Sequence, residues 1–225
     1  MTRTSRVYEE FDWKSLVKKP VIGVDEAGRG CLAGRVYAGA VIIDKEIDPV
    51  FEPWIRDSKT LSGTRREEVY EYIKSTFLVG VGFAESSEID EINILQASFL
   101  AMKRALTQLG VKNGTLLVDG HLKVAGLTNE FYQIPLVKGD QRAKPIAAAS
   151  IVAKVERDRA MYALGIQYPQ YRFEKHKGYS TAEHKDLISQ FGPCPIHRVS
   201  FSGVREFVGG ENSSTQQCPS EGAIL

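Results

Sequence analysis

The stretch that most constrains this chain is Val21-Ile22-Gly23-Val24-Asp25-Glu26-Ala27-Gly28-Arg29-Gly30. Val21, Ile22 and Val24 are residues that a strand buries well, and the run ends in two adjacent carboxylates. A strand that ends in acid fixes negative charge at the rim of a sheet. Gly28 and Gly30 let backbone come close to a ligand, or adopt dihedrals that a side chain forbids. Arg29 between them offers a fork of donors suited to phosphate. Acid, bare backbone and a guanidinium in one place point to a metal-assisted site for a phosphate ester. Neighbouring strand residues face opposite ways, so Asp25 and Glu26 are expected to share a site only if the strand ends or bulges between them.

The same design recurs. Thr115-Leu116-Leu117-Val118-Asp119-Gly120 is an apolar strand ended by an aspartate and a glycine, and Phe131 to Val137 leads into Lys138-Gly139-Asp140. Three strand ends are therefore expected to carry acid: Asp25-Glu26, Asp119 and Asp140. Carboxylate oxygens suit hard cations such as Mg²⁺ or Mn²⁺, and no Cys/His cluster argues for zinc. Two such ions a few Å apart can clamp the attacking water and the leaving oxygen of a phosphodiester. One strand-end aspartate alone commonly just starts a turn; three beside a glycine-arginine-glycine turn favour a site. Lys138, Arg142 and Lys144 would balance the acids and attract a nucleic-acid backbone. Gly28, Gly30 and Gly34 also imitate a dinucleotide loop, but that loop must open a helix. Here Arg35 to Ile43 is a β-branched run, so strand-turn-strand is expected instead.

The remaining elements follow in order. A helix is expected from a Thr64/Glu67 capping box, with Val69, Ile73 and Phe77 as its stripe. A strand follows over Leu78 to Phe83. Ser87 is expected to cap a long helix faced by Ile89, Ile92, Leu95, Phe99, Met102, Leu106 and Leu109 and closed by Gly110. Pro145 suits the first turn of an alanine-rich helix to about Leu164. A Ser180/Glu183 capping box opens a short helix to Phe191, and another short helix lies near Val204 to Val208. Residues 1–20 form a polar leading segment with Tyr8, Phe11 and Trp13 as docking points. Residues 209–225 are small and polar and are expected to be disordered.

At 225 residues the chain suits one domain, and a net charge of +1 excludes wholesale polycation behaviour. Cys31, Cys194 and Cys218 are scattered and odd in number, which argues against a disulfide framework and for a reducing interior. The amino-terminal residues lack the apolar stretch of a signal peptide, and no apolar run is long enough to span a bilayer. A cytoplasmic setting is expected.

The motifs GVDEAGRG, DSKTLS, EIDEINILQASFLAM, LLVDG, VKGD, AAASIVAKVERD, QYPQY and HKGYSTAEH together resemble ribonuclease HII, the type 2 ribonuclease H family, from about Val21 to Arg205. The resemblance implies an α/β, ribonuclease H-like fold: a central mixed sheet flanked by helices, with a small C-terminal helical region inside a catalytic unit of residues 21–208. It implies a monomer that cleaves RNA in RNA–DNA hybrids and incises duplex DNA 5′ to an embedded ribonucleotide. The ends would be 3′-hydroxyl and 5′-phosphate, a step in ribonucleotide removal from DNA. By the same resemblance Asp25, Glu26, Asp119 and Asp140 are catalytic and hold two Mg²⁺ or Mn²⁺ ions, with Asp158 the rival to Asp140 for fourth carboxylate. Gly28, Arg29 and Gly30 match the turn that reads the ribose 2′-hydroxyl, which DNA lacks. Tyr179 matches the ring that stacks at the RNA-to-DNA junction, and Ser58 and Lys59 a loop that touches phosphates. His176 and Lys177 are further phosphate-positioning candidates. Cys31 stands where this family usually has proline. A junction resolvase on the same fold and an inactive hybrid-binding module are the rival readings. The first has no use for a 2′-hydroxyl reader, and the second no use for four acids.

Overall fold

The computed structural model describes residues 8–56 and 58–208; the expectations for residues 1–7, Cys218 and the tail beyond 208 lie outside the described residues. Five strands form one mixed sheet: β1 (Val21–Ala27), β2 (Val36–Ile42), β3 (Leu78–Ala84), β4 (Gly114–Asp119) and β5 (Phe131–Leu136), in the order β3-β2-β1-β4-β5. The β1-β2-β3 meander is antiparallel, whereas β4 and β5 join β1 in parallel. The helices are α1 (Gly63–Thr76), α2 (Ser86–Leu109), α3 (Gly139–Arg142), α4 (Lys144–Gln167), α5 (Phe173–His176) and α6 (Ala182–Phe191).

Strand alternation divides the core in two. Val21, Val41 and Leu117 face a layer made by α1 and α4; Ile22, Val24, Ala38, Ala40, Leu116 and Val118 face α2. Both helix layers lie unusually close to the sheet because glycines remove the side chains that would hold them off. A Cβ on Gly23 would come 2.0 Å from the Pro145 carbonyl carbon, and one on Gly82 would come 2.2 Å from the Ala101 carbonyl oxygen. The small residues Ala147, Ala148, Ala149 and Ala153 of α4 are buried against this surface. The leading segment also joins the body: Trp13 is buried in the α1/α4 core, and the Phe11 N–H donates to the Arg142 carbonyl at 2.8 Å.

Several expected boundaries move, each for a local reason. The α1 cap is Ser62, whose hydroxyl accepts from the Arg65 N–H at 3.2 Å. Glu85, in a reciprocal box with Glu88, caps α2 in place of Ser87. Thr181 caps α6, one residue after Ser180. The long helix is not continuous either. Asn93 has φ 66° and ψ 162°, and its side-chain oxygen accepts from the N–H groups of Leu95 and Gln96, so it caps a second segment within the first. The apolar stripe runs across this break and hides it. Asp140 does not end a strand: β5 stops at Leu136, and Asp140 lies in the first turn of α3. The carboxyl end of the described chain is a single 3₁₀ turn, Arg205–Phe207.

Candidate active site

The register explains how distant acids meet. Val24 pairs with Val118 across β1 and β4, so Asp25 and Asp119 are the next residues on two neighbouring parallel strands. Each has the parity of the residues that face α4, namely Val21 with Gly23 and Leu117. Past Val24 the strand pairs only with β2, which leaves its β4 side open. No bulge or strand end separates Asp25 from Glu26, since they pair in order with Gly39 and Ala38. The expected requirement for a break is therefore wrong: the β1–β4 pairing stops at Val24 and Val118 while both strands run on, and both acids line the cleft that opens there.

That cleft, about 280 Å³, is lined by Asp25, Glu26, Asp119, Asp140, the Gly28-Arg29-Gly30 turn, Ser58, Lys59, Ser150, Lys154 and Tyr179. Asp119 Oδ1 accepts the Gly139 N–H at 2.8 Å, which ties the end of β4 to the turn that carries Asp140. Burial, then the charges of Glu26 and Asp119, hold the Asp25 carboxyl well above the usual carboxylate range. Burial likewise raises Glu26, although Arg29 opposes it with a hydrogen bond from Nη1 to Oε1 of 3.3 Å. The cleft thus concentrates buried negative charge that the protein's own cations offset in part. Such hard oxygens suit a divalent cation in kind; among the described residues no group of three or more His, Cys, Asp or Glu side chains is disposed to hold one as it stands.

The glycine-arginine-glycine turn is gripped from behind. Gly28 has φ 99°, and a Cβ there would come 2.1 Å from Nε of Arg157. Arg157 is wholly buried; its Nη2 donates to the Lys177 carbonyl at 2.8 Å, while Nε and Nη1 have no hydrogen-bond partner among the described residues. Arg198, also wholly buried, donates from Nη1 to the Arg29 carbonyl at 2.9 Å and from Nε and Nη2 to the Gly34 carbonyl. Beyond the turn, Cys31 bridges to Tyr179 and Ala33 to His197. The Tyr179 ring lies 5.5 Å from both the Lys154 ammonium and the Arg157 guanidinium. Burial pushes the Cys31 thiol up, so it is a packed residue of the turn and not a thiolate.

Ten of the twelve expected site residues line this cleft; His176 and Lys177 do not. His176 is buried, its Nε2 facing the Tyr171 carbonyl and its Nδ1 accepting from the Gly178 N–H, so it supports the Tyr179 loop from inside. The Lys177 ammonium donates to the Glu174 carbonyl. Ser58 is buried and shares a 3.0 Å hydrogen bond with Ser150, so it anchors its loop where a phosphate contact was expected. Asp158 pairs with Lys154 at 2.5 Å and Arg66 at 3.8 Å and does not line the cleft, whereas Asp140 does. Sequence reasoning missed Ser150, Lys154, Arg157 and Arg198. Spacing by four and seven on α4 could have found the first three; nothing local marks Arg198.

The sequence profile of the family described as ribonuclease HII matches residues 22–204. The chain is 49% identical over 190 residues to a ribonuclease HII of Endomicrobium trichonymphae, covering 84% of this chain and 88% of that one. It is 51% identical over 191 residues to a ribonuclease HII of Thermotoga maritima, covering 84% and 75%. The crystal structure of ribonuclease H2 from Pyrococcus horikoshii superposes with a TM-score of 0.68 at 31% identity, covering 83% of this chain and 96% of that one. A mixed sheet between helices, a cleft of carboxylates at its rim and a profile spanning nearly the whole described body give one assignment: this chain belongs to the ribonuclease HII family of endoribonucleases.

Proposed function

We propose that this protein hydrolyses the RNA strand of RNA–DNA hybrids and incises duplex DNA 5′ to an embedded ribonucleotide, leaving 3′-hydroxyl and 5′-phosphate ends. The observation that carries the reading is the convergence of Asp25, Glu26, Asp119 and Asp140 on one cleft beside the Gly28–Gly30 turn and Tyr179. The four carboxylates would hold two divalent ions, Mg²⁺ or Mn²⁺. Bound there, such ions supply an activated water and stabilise charge on the leaving oxygen. The chain's own residues do the selecting. Backbone groups at Gly28 and Gly30 can meet the ribose 2′-hydroxyl, a donor and acceptor that DNA lacks. Arg29, half exposed while bonded to Glu26, would reach a phosphate oxygen. Lys59 and Lys154 at the rim offset charge on the acids and the nucleic-acid backbone. The Tyr179 ring can pack on the deoxyribose that follows and penalise a further hydroxyl. Residues 21–208 would act as one catalytic unit, as a monomer in the cytoplasm. No helix among the described residues is long and apolar enough to cross a membrane.

Product mapping on a duplex bearing one ribonucleotide tests this directly. The expected result is a nick 5′ to the ribonucleotide that requires Mg²⁺ or Mn²⁺ and is lost in Asp25→Asn. Wild-type nicking by Asp25→Asn in Mg²⁺ sinks the metal assignment. Equal cleavage of an all-DNA junction would transfer the chain to the resolvase reading.

A further inference from the structure

Behind the cleft lies a buried chain of hydrogen bonds for which the reaction above has no assigned use. His184 and His197 are 0% and 2% exposed, and their Nε2 atoms are 3.1 Å apart. At one end, the Cys194 backbone N–H donates to His197 Nδ1 at 2.9 Å. At the other, His184 Nδ1 lies 2.9 Å from the Tyr179 carbonyl oxygen. An amide N–H can only donate and a carbonyl oxygen can only accept, so each end fixes a tautomer independently. His197 must accept at Nδ1 and carry its proton on Nε2; His184 must carry its proton on Nδ1 and accept at Nε2. The two requirements agree at the Nε2–Nε2 contact, where His197 donates and His184 accepts. The Cys194 thiol and carbonyl also lie 3.1 Å and 3.3 Å from His197 Nδ1, but the Cys194 N–H is the nearest of the three and can only donate, so it decides the order.

Everything around the pair keeps it in this state. His176 stacks on His184 with ring centroids 4.2 Å apart, and Phe173 packs edge-on against it. Burial holds His184 down to about 4 and His197 to about 3, so both are neutral at pH 7. The chain ends on the carbonyl of the residue that bridges to Cys31, immediately beyond the glycine-arginine-glycine turn.

We infer that the His197–His184 pair is a positioning device for Tyr179: a one-way hydrogen-bond chain that fixes this backbone against the ribose-reading turn and so sets the preference for an RNA-to-DNA junction. The inference rests on the reading of Tyr179 as the junction contact. His184→Gln offers an amide near the Nε2 position, and so keeps a partner for His197, but removes the side-chain donor to the Tyr179 carbonyl and leaves it the Thr181 N–H alone, 2.8 Å away. His184→Asn does the reverse, because its amide nitrogen can overlay Nδ1.

The readout is the ratio of kcat/KM on a duplex with one ribonucleotide to kcat/KM on a long RNA–DNA hybrid, with melting temperatures recorded alongside. His184→Gln should lower the ratio about tenfold, about 1.4 kcal/mol of transition-state discrimination, while His184→Asn restores most of it. In a Tyr179→Ala background His184→Gln should add nothing, as expected for two residues acting through one contact. A wild-type ratio in His184→Gln overturns the inference. So does an equal fall in both His184 variants, or a full further fall in the Tyr179→Ala background. Tyr179→Ala with a wild-type ratio refutes the junction reading itself, a different failure. Long-range ¹H–¹⁵N correlation on the wild-type protein needs no variant: His184 protonated on Nε2, or His197 on Nδ1, overturns the polarity on which the device depends.

Discussion

Gly23→Ala should damage both stability and catalysis, and the size of the effect can be worked from contacts. A Cβ at this position would come 2.0 Å from the carbonyl carbon of Pro145, 2.2 Å from its oxygen and 2.4 Å from the Ile146 nitrogen. All three are backbone atoms, so no side chain can turn aside. Ordinary carbon contacts begin near 3.5 Å, so the start of α4 must retreat about 1.5 Å. Overpacking of this kind costs about 1–3 kcal/mol, and in a domain of this size each kcal/mol lowers Tm by roughly 2–4 °C. The functional consequence is separate. The start of α4 follows directly on α3, which carries Asp140, and α4 itself carries Ser150 and Lys154 in the cleft. A displacement of about 1 Å in such a constellation can cost ~10²-fold in rate. Thermal melts and single-turnover nicking of a one-ribonucleotide duplex measure the two effects. Gly63→Ala, whose added carbon meets nothing within 4 Å, is the matched control. If Gly23→Ala melts and turns over like Gly63→Ala, close helix–sheet contact is not what positions the acids.

Asp25→Asn should abolish metal-dependent cleavage yet melt at or above the wild-type temperature when metal is withheld, since it removes a buried carboxylate that Glu26 and Asp119 repel; a fall in Tm refutes that electrostatic account. Gly28→Ala should be destabilised by about 1–3 kcal/mol and lose turnover, and Arg157→Ala should rescue it only in part, because the clash with Nε is removed but φ 99° remains. Full rescue would mean that crowding alone, and not the turn, demands glycine. Stability should also depend on the buried histidines. With His184 at about 4 and His197 at about 3 in the folded protein against ~6.5 unfolded, the unfolded chain binds the extra protons. Their contribution is therefore complete above about pH 6.5 and is lost as pH falls toward 4 and then 3, by up to ~1.4 kcal/mol per pH unit for each group. Urea midpoints at pH 7, 6 and 5 should decline, and less steeply in His184→Gln; parallel declines refute the assignment.

The parts of this fold legible in the sequence are those set by short-range chemistry. Val21–Val24 and Leu116–Val118 are β-formers that stop at acids, and Pro145 opens α4, as read from the residues alone. Tertiary packing decided the rest. The continuous stripe of α2 concealed the break at Asn93, because hydrophobic spacing records the buried face and not the backbone conformation. Asp140 reads as a strand end but lies on a helical turn, because Lys138 takes a left-handed φ of 57° that nothing local demands. Ser58 reads as a surface loop serine and is buried, because its partner Ser150 is 92 residues away. Arg198 had no signal at all: its targets, the carbonyls of Arg29 and Gly34, are more than 160 residues distant.

These errors share a direction, which bears on how the site is built. Asp25, Glu26 and Asp119 are placed by strand register, a property the sequence carries within each apolar run, and Asp140 by the turn that Asp119 holds through the Gly139 N–H. The turn that would read the sugar is placed by contacts that no run contains. Both buried arginines, the bridges from Cys31 to Tyr179 and from Ala33 to His197, and the histidine pair all join the stretch from Gly28 to Arg35 to residues after 156. On the function proposed above, the hydrolytic centre and the selecting turn therefore rest on different supports, one in the sheet and one in the carboxyl-terminal part. Substitutions in the second group should lower discrimination between ribo- and deoxyribo-substrates more than they lower maximal turnover on RNA–DNA hybrid, while Gly23→Ala should lower turnover on every substrate alike. A comparison of Arg198→Met with Gly23→Ala across the two substrates measures this directly; parallel losses in both would show that the two supports are one.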